Sequence, residues 1–550
     1  MIKKTILPLI LLVFFLFSAS ATTNTDQRTF KISKNLTIFN SILRELDLFY
    51  VDTLNYDKTV KTTIDNMLEK LDPYTVYIPE NETDDLTFMT TGEYAGIGAM
   101  ITKIGKEVCI SEPYEGMPAQ RNGLRAGDII LEVDGEKVAD MTVNEVSARL
   151  KGVANTTIQL KIKRPGEKKI IQKSFVREKI QVNPVKYFAV VSNKTGYLML
   201  SEFTDRAALE LKNAVSEMVK TNQIESLVLD IRNNGGGLID EAVKIVGYFV
   251  PKGTSVVTTK GKNSDADRTY KTPTEPIFPD MKLVILANRA SASASEIVSG
   301  SMQDLDRAVI VGERTFGKGL VQNIRPISFG GNLKVTTAKY YIPSGRCIQA
   351  IDYSHRNEDG SVGHIPDSLT SEFKTRNGRK VRDGGGIVPD TLTKDERKMN
   401  IAYYIYLQNM YFNYATQFVL KHSKIESATD FRLSDEEFKL FTDYLLEQKF
   451  SYVTQTDKYF KELLDIAQYE GLDKRAKNEF DALKAKLKPD ITKSIEENKA
   501  EISELLSLEI IKRYYYQKGE IQFSLRNDKD LNAAIEILKP NGKYLKILNK

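Results

Sequence analysis

Serine alternates with alanine in Ser291-Ala292-Ser293-Ala294-Ser295-Glu296, just after the apolar run Leu283–Ala287. That run reads as a strand and the residues from Ala294 to Met302 as a helix, which places the serines on a strand-to-helix turn. A serine there is positioned for nucleophilic attack. The positive end of the helix dipole favours an alkoxide, and nearby N–H groups can stabilise an oxyanion. Ser293 with Glu296 is also an S-x-x-E capping box, a structural device that needs no chemistry. The local sequence does not choose among Ser291, Ser293 and Ser295.

A serine nucleophile needs a base, and the chain has only three histidines. His355 and His364 lie in a polar, glycine-rich stretch and His422 in a helical region, while no Gly-x-Ser-x-Gly elbow occurs. Ser371-Glu372-Phe373-Lys374 matches S-x-x-K, but Lys194-Thr195-Gly196 precedes it, the wrong order for a penicillin-binding arrangement. Gly312 to Lys318 fits G-x-x-x-x-G-K, yet Gly319 stands where a P-loop needs Ser or Thr for magnesium, so nucleotide binding is not expected. Lys318 itself is the better candidate base. A free lysine has a pKa near ~10.4 and is protonated at neutral pH. Burial lowers that by up to ~3–5 units, and a neutral amine can take a serine proton. Gln322, one turn further on if the segment is helical, could orient the amine without adding charge. A Ser–Lys dyad would make the scarce histidines irrelevant.

Together, Ser291-Ala292-Ser293-Ala294-Ser295-Glu296 and Phe316-Gly317-Lys318-Gly319-Leu320-Val321-Gln322 resemble the signature of the C-terminal processing (tail-specific) serine peptidases. The resemblance spans about residues 35–392. It takes in Leu71-Asp72-Pro73-Tyr74, Asp230-Ile231-Arg232-Asn233-Asn234-Gly235-Gly236-Gly237, Tyr341-Ile342-Pro343-Ser344-Gly345-Arg346 and Gly384-Gly385-Gly386-Ile387-Val388-Pro389-Asp390. It implies Ser293 as nucleophile, three residues before the glutamate, Lys318 as base and Gln322 as its companion. It further implies an oxyanion hole from the Ala294 amide and one from the Gly235–Gly236 turn. Glu296 is expected to cap or orient the helix. No metal or other cofactor is implied. The alternative is a catalytically inactive, peptidase-like PDZ scaffold.

The elements that must hold these residues read as follows. Lys3 and Lys4, the apolar run Ile6–Phe17 and Ala19-Ser20-Ala21 make residues 1–21 a secretory signal, too short to span a bilayer, for which ~20 apolar residues are needed. Export, most simply to the periplasm, with no stable membrane insertion, is therefore expected. Residues 25–91 read as helical, with Phe39, Ile42, Leu43, Leu46 and Phe49 on one stripe and a second helix over Tyr56–Leu71. Tyr74 and Tyr77 read as core aromatics.

Residues 92–180 form a small β-rich unit with runs at Ile97–Ile101, Val108–Ile110, Ile129–Val133 and Ile158–Ile162 and a helix at Met141–Leu150. Tyr94-Ala95-Gly96-Ile97-Gly98-Ala99 and Gly123-Leu124-Arg125-Ala126-Gly127-Asp128 resemble a PDZ domain, which implies that the amides around Ile97, Gly98 and Ala99 hold a peptide's terminal carboxylate. Protein or peptide C-termini are the expected substrates.

Residues 185–392 alternate strands with helices, an α/β pattern, and the resemblance implies a ClpP/crotonase-like core. Asp352–Gly386 reads as a long polar loop. Residues 393–550 are helical and rich in Lys and Glu, with Ser434–Glu437 as a capping box. These helices could serve a homo-oligomer or an adaptor. The balance of 78 basic against 73 acidic residues gives no reason to expect nucleic acid. Cys109 and Cys347 are too far apart in sequence for a zinc ribbon or a CxxC motif.

Overall fold

The computed structural model describes residues 6–82, 88, 90–262, 267–357, 362–393 and 399–550. It divides into two units, Met1–Tyr77 and Ile78–Lys550. In the first, helices Ile6–Phe49 and Tyr56–Glu69 are joined by a short turn, and Lys3 and Lys4 of the expected signal lie outside the described residues. Asp72 ends the second helix locally: its carboxylate accepts the N–H groups of Tyr74 and Thr75 at 2.8 Å each, a turn that competes with further helix. Among the described residues no helix is long and apolar enough to cross a membrane.

The second unit has the expected mixed α/β, multidomain architecture. Among the described residues, one of its two six-stranded sheets runs Val185–Ser192, Thr195–Leu200, Ser226–Asp230, Lys282–Ala287, Ala308–Gly312, Thr391–Leu392. The first pair is antiparallel and the rest are parallel. Near-continuous apolar strands are what a sheet buried on both faces requires. Alternate residues make the division: Leu227, Leu229, Leu283 and Ile285 face helices Ala207–Asn222, Ile239–Gly247 and Ala294–Asp304. Val228, Val284, Leu286 and Val309 face Leu531, Ala534, Ile537 and Leu538 of the C-terminal helix Lys529–Leu538. The last residues of the chain thus complete the hydrophobic core of this sheet. Arg232 ties them down, reaching Asp230, Asp528 and Asp530 at 2.6 to 2.9 Å.

Strands Ala99–Ile104, Glu107–Pro113, Ile129–Val133, Thr157–Lys163 and Ile171–Val176 form a second, antiparallel sheet. It closes over Val108, Ile110, Ile130, Val146, Ile158 and Leu160. The expected strand Ile97–Ile101 is instead two, Glu93–Gly96 and Ala99–Ile104, broken where Gly98 takes φ +71°. The expected helix starts at Val143, because Thr142 and Glu145 cap it reciprocally.

The stretch expected to be a loop, Asp352–Gly386, holds two short hairpins, Ile351–Arg356 with Val362–His364 and Glu372–Lys374 with Lys380–Arg382. Polar strands this short escape a hydrophobic-pattern reading. Arg379 fastens the second hairpin to Asp306, 2.6 Å away, and to Asp390.

Helices from Ile401 to Ser524 gather around Tyr411, Phe418, Phe438, Phe441, Ile502 and Ile510. Ser434 caps its helix by accepting from the Glu437 N–H. The helices approach the antiparallel sheet closely: a Cβ added to Gly127, itself at φ +93°, would lie 2.6 Å from Thr416 Cγ2. The helix Lys499–Ser524 is kinked at Tyr516, whose φ of 53° and ψ of −161° leave the helical region.

Candidate active site

The central parallel strands end on the same edge of the sheet, and two of their following turns meet there. Strand Ser226–Asp230 leads into Asn233–Gly237, and strand Lys282–Ala287 leads into the three serines. Fold and topology put sites at such carboxyl ends.

The structure separates the serines. Ser291 is fully buried, donating to the Ile231 carbonyl at 2.8 Å and accepting from the Asn288 N–H at 3.0 Å. Ser295 is fully buried and donates to the Asn234 carbonyl at 2.9 Å. Both hydroxyls are spent on joining the two turns. Ser293 is half-exposed, in a run otherwise buried from Ser291 to Gly300. Its backbone has φ 55° and ψ −113°, a conformation that costs a non-glycine residue ~1–3 kcal/mol and must be held by its surroundings.

Glu296 is part of what holds it. Its fully buried carboxylate accepts four hydrogen bonds. Oε2 takes the N–H of Ser293 at 3.0 Å and the N–H of Lys318 at 2.8 Å. Oε1 takes the N–H of Gly317 at 2.7 Å and the hydroxyl of Thr315 at 2.5 Å. One oxygen therefore joins the backbone of Ser293 to that of Lys318. The Tyr340 hydroxyl repeats the link on the carbonyl side, lying 3.2 Å from the Ser293 oxygen and hydrogen-bonded to the Lys318 oxygen. Burial pushes the Glu296 carboxyl up to about 7, against the opposing pull of those four donors. Sequence reasoning gave Glu296 the cap; its hold on the Lys318 segment had no local signal.

Lys318 is half-buried. The segment leading to it runs into strand Leu320–Pro326 rather than a helix, so it lacks the helix N-terminus of a phosphate-binding loop. The condition on which Gln322 would lie one helical turn beyond Lys318 is therefore not met. Gln322 lies in that strand, just after a register shift, and donates to Thr336 Oγ1 at 3.1 Å on the neighbouring strand. Valine and isoleucine around it favour extended backbone.

Gly236 sits against Ser293: a Cβ there would lie 2.7 Å from Ser293 Cβ and 2.9 Å from the Ala294 nitrogen. Of the two glycines expected to offer an amide, Gly236 is already committed, its N–H going to Asn234 Oδ1 at 2.9 Å. Gly235 is exposed, and a Cβ on it would meet nothing within 4 Å. Among the described residues, neither the Gly235 nor the Ala294 amide donates a hydrogen bond. Two amides beside a strained serine, with an amine-bearing segment fastened to its backbone, can do acyl-transfer chemistry.

In the smaller sheet, Ile97 is buried, Gly98 makes the turn and Ala99 opens the next strand. Tyr94 folds back over this turn. Its ring is so close to Gly96 that a Cβ there would meet Cε2 at 2.9 Å, and burial raises the pKa of its hydroxyl while the nearby Gly98 backbone opposes that rise. The third histidine, His422, stacks on Phe418 at 4.0 Å in the helical region, away from these turns.

Residues 194–354 match the family described as peptidase family S41, residues 109–164 match the PDZ domain, and residues 401–538 match a probable PDZ-protease C-terminal helical domain. The chain is 36% identical over 335 residues to a carboxy-terminal-processing protease of Bartonella bacilliformis, covering 60% of this chain and 76% of that one. It is 36% identical over 316 residues to a probable CtpA-like serine protease of Staphylococcus aureus, covering 57% of this chain and 62% of that one. A solved structure titled photosystem II D1 C-terminal processing protease is 31% identical, with a TM-score of 0.36 and coverage of 64% of this chain and 86% of that one.

Proposed function

The chain belongs to peptidase family S41 and is a serine peptidase, and from this premise we propose that Ser293 is its nucleophile and Lys318 its general base. Lys318 Nζ, as the neutral amine, takes the Ser293 Oγ proton while Oγ attacks the scissile carbonyl carbon. The resulting oxyanion is stabilised by the amides of Gly235 and Ala294. As the C–N bond breaks, the ammonium returns its proton to the leaving amine, and an acyl-serine ester remains. Water, deprotonated by the same lysine, hydrolyses that ester. Gln322 supports the strand that carries the base. The observation that carries this reading is Glu296 Oε2, which accepts from the N–H of both Ser293 and Lys318.

The substrate is an exported protein whose C-terminus is held by the amides of Ile97, Gly98 and Ala99. We divide the chain accordingly, into a signal over 1–21, a helical lead-in over 25–91, a PDZ domain over 92–180, a peptidase core over 185–392 and a helical region over 393–550. The two amino-terminal lysines, the apolar run and Ala19-Ser20-Ala21 support export to the periplasm.

Hydrolysis of a tailed peptide by wild type, Ser293→Ala and Lys318→Ala tests the dyad: both variants lose all measurable turnover, and activity surviving in either one rejects it. An amidated C-terminus on the same peptide tests the capture step and raises KM; an unchanged rate rejects it.

A further inference from the structure

Asn234 lies between the two turns of the site, is fully buried, and hydrogen-bonds through every polar group it has. Its Nδ2 donates to the Leu200 carbonyl at 2.8 Å. Its Oδ1 accepts the Gly236 N–H at 2.9 Å. Its own N–H donates to the Ile231 carbonyl at 3.3 Å. Its carbonyl oxygen accepts twice, from the Ala292 N–H at 3.0 Å and from Ser295 Oγ at 2.9 Å. Those last two donors flank Ser293 on either side along the chain.

The carbonyl of Asn234 and the N–H of Gly235 belong to the same peptide unit. That unit is planar and trans, so its C=O and N–H point in opposite directions. Two hydrogen bonds draw the carbonyl inward, beneath the nucleophile turn. The Gly235 N–H is thereby aimed the other way, to the open face where Gly235 is exposed, one residue before Gly236, which packs against Ser293. The side chain reinforces this orientation. By taking the Gly236 N–H, Oδ1 fixes the next peptide unit and removes it as a competing donor, while Nδ2 anchors the whole turn to strand Thr195–Leu200.

We propose that Asn234 and Ser295 are positioning residues of the oxyanion hole, which aim the Gly235 amide by locking the carbonyl of the peptide unit it shares with Asn234. The inference rests on the reading of Ser293 as nucleophile. It also gives a role to Ser295, a serine that takes no part in the chemistry itself. Aspartate at 234 would keep an acceptor for the Gly236 N–H but lose the donor to Leu200, whereas alanine would lose both. Alanine at 295 would remove one of the two hydrogen bonds on the Asn234 carbonyl and change little else in volume.

The test uses the full chain, a tailed peptide substrate and a peptide boronate that forms a tetrahedral adduct on a serine oxygen. Ser295→Ala is expected to lower kcat about tenfold and Asn234→Ala about 100-fold, the range seen when an oxyanion donor is weakened or lost. KM stays within about twofold of wild type, and boronate affinity falls in step with kcat, because both depend on the aimed amide. Asn234→Asp falls between the two and recovers part of the loss of Asn234→Ala. Ser295→Ala with wild-type kcat and wild-type boronate affinity overturns the proposal, as does a loss of rate in Asn234→Ala with undiminished boronate binding. Activity in Ser293→Ala would instead reject the dyad, so the two failures are separately readable.

Discussion

Glu296 and Glu112 are both buried carboxylates whose pKa is raised first of all by loss of solvent, but they are held in opposite ways. Glu296 is met by four neutral donors from two loops, each at hydrogen-bond distance. Glu112, at the end of strand Glu107–Pro113, is met mostly by charge. Lys512 and the Gln517 backbone draw its pKa down, while Glu520 and Glu509 push it up. Gln517 follows directly on the break at Tyr516, so Glu112 is expected to act, from the antiparallel sheet, as a cap on the helix where it restarts. Lys512 and Glu520 face each other across that break at 3.4 Å. Lys186 on strand Val185–Ser192 of the other six-stranded sheet feels Glu112 as well. Fixed dipoles at the peptidase site define a single geometry. Charges of both signs gather instead around the kink at Tyr516, where the antiparallel sheet meets the helical region.

The sharpest way to break the contrast is to replace each carboxylate by its amide. Glu296→Gln turns an acceptor-only group into one whose NH2 must face N–H donors, so the Ser293 and Lys318 segments separate. A displacement of ~1 Å in such a site costs about 100-fold in rate, and kcat of Glu296→Gln is expected to fall by that much with KM little changed. If Glu296→Gln turned over like wild type, the four hydrogen bonds would be packing and nothing more.

The same group gives the peptidase site a pH dependence. Its carboxyl titrates near 7 when folded, against ~4.3 for an exposed glutamate. Between those values the folded state holds a proton that the unfolded state has lost, so this group's contribution to stability falls as pH rises through the window. Activity moves the other way, because only the ionised carboxylate accepts from all four donors. Wild-type kcat therefore rises severalfold from pH 6 to pH 8 while the thermal midpoint declines, and Glu296→Gln flattens the limb assigned to this group. A midpoint that climbs with kcat over this range would reverse the sign of the argument.

Glu112→Gln should act on the other side of the contrast, at the junction. Losing a charged cap costs about 1 kcal/mol, close to fivefold in a local opening equilibrium. Amides just after Tyr516 are expected to exchange hydrogen about that much faster, with kcat changed far less than in Glu296→Gln. Exchange at wild-type rates in that segment would remove Glu112 from its role as a cap.

These differences explain what could be read beforehand. Strands Ser226–Asp230, Lys282–Ala287 and Ala308–Gly312 announce themselves because a doubly buried strand is apolar throughout. The strand-to-helix turn with its serines is equally plain. The choice of Ser293 over Ser291 and Ser295 is not, since it depends on which hydroxyls the Asn233–Gly237 turn consumes, sixty residues away. Whether Gln322 lies one turn beyond Lys318 cannot be read from its i to i+4 spacing, which is meaningful only once the secondary structure is known. Lys529–Leu538 falls in the region 393–550 expected to be helical, but composition carries no information about which surface a helix covers, so its place on the sheet within residues 185–392 is invisible in the sequence. Gly127 reads as a turn glycine, and its close approach to Thr416 adds a demand that no single sequence displays.

The smallest effect concerns the other end of the PDZ sheet. Tyr94 keeps its hydroxyl near the Gly98 backbone, where the proposed function has a terminal carboxylate received, and its ring is steadied by Phe88 at 5.5 Å, edge to face. On that proposal a substrate tail displaces the hydroxyl before it is held. Tyr94→Phe keeps the ring and removes the competitor, whose hydrogen bond is worth ~0.5–1.5 kcal/mol. Tail peptides are therefore expected to bind about 2–10-fold more tightly to Tyr94→Phe than to wild type. The gain should vanish when the peptide's C-terminus is amidated, because an amide does not seek the same donors. Equal tightening for free and amidated peptides would mean that Tyr94 acts on the groove in general and not on the carboxylate. The peptidase site offers no counterpart to this variant: the groups that hold Ser293 there, Glu296 and Asn234, are part of its working geometry, and removing either costs rate.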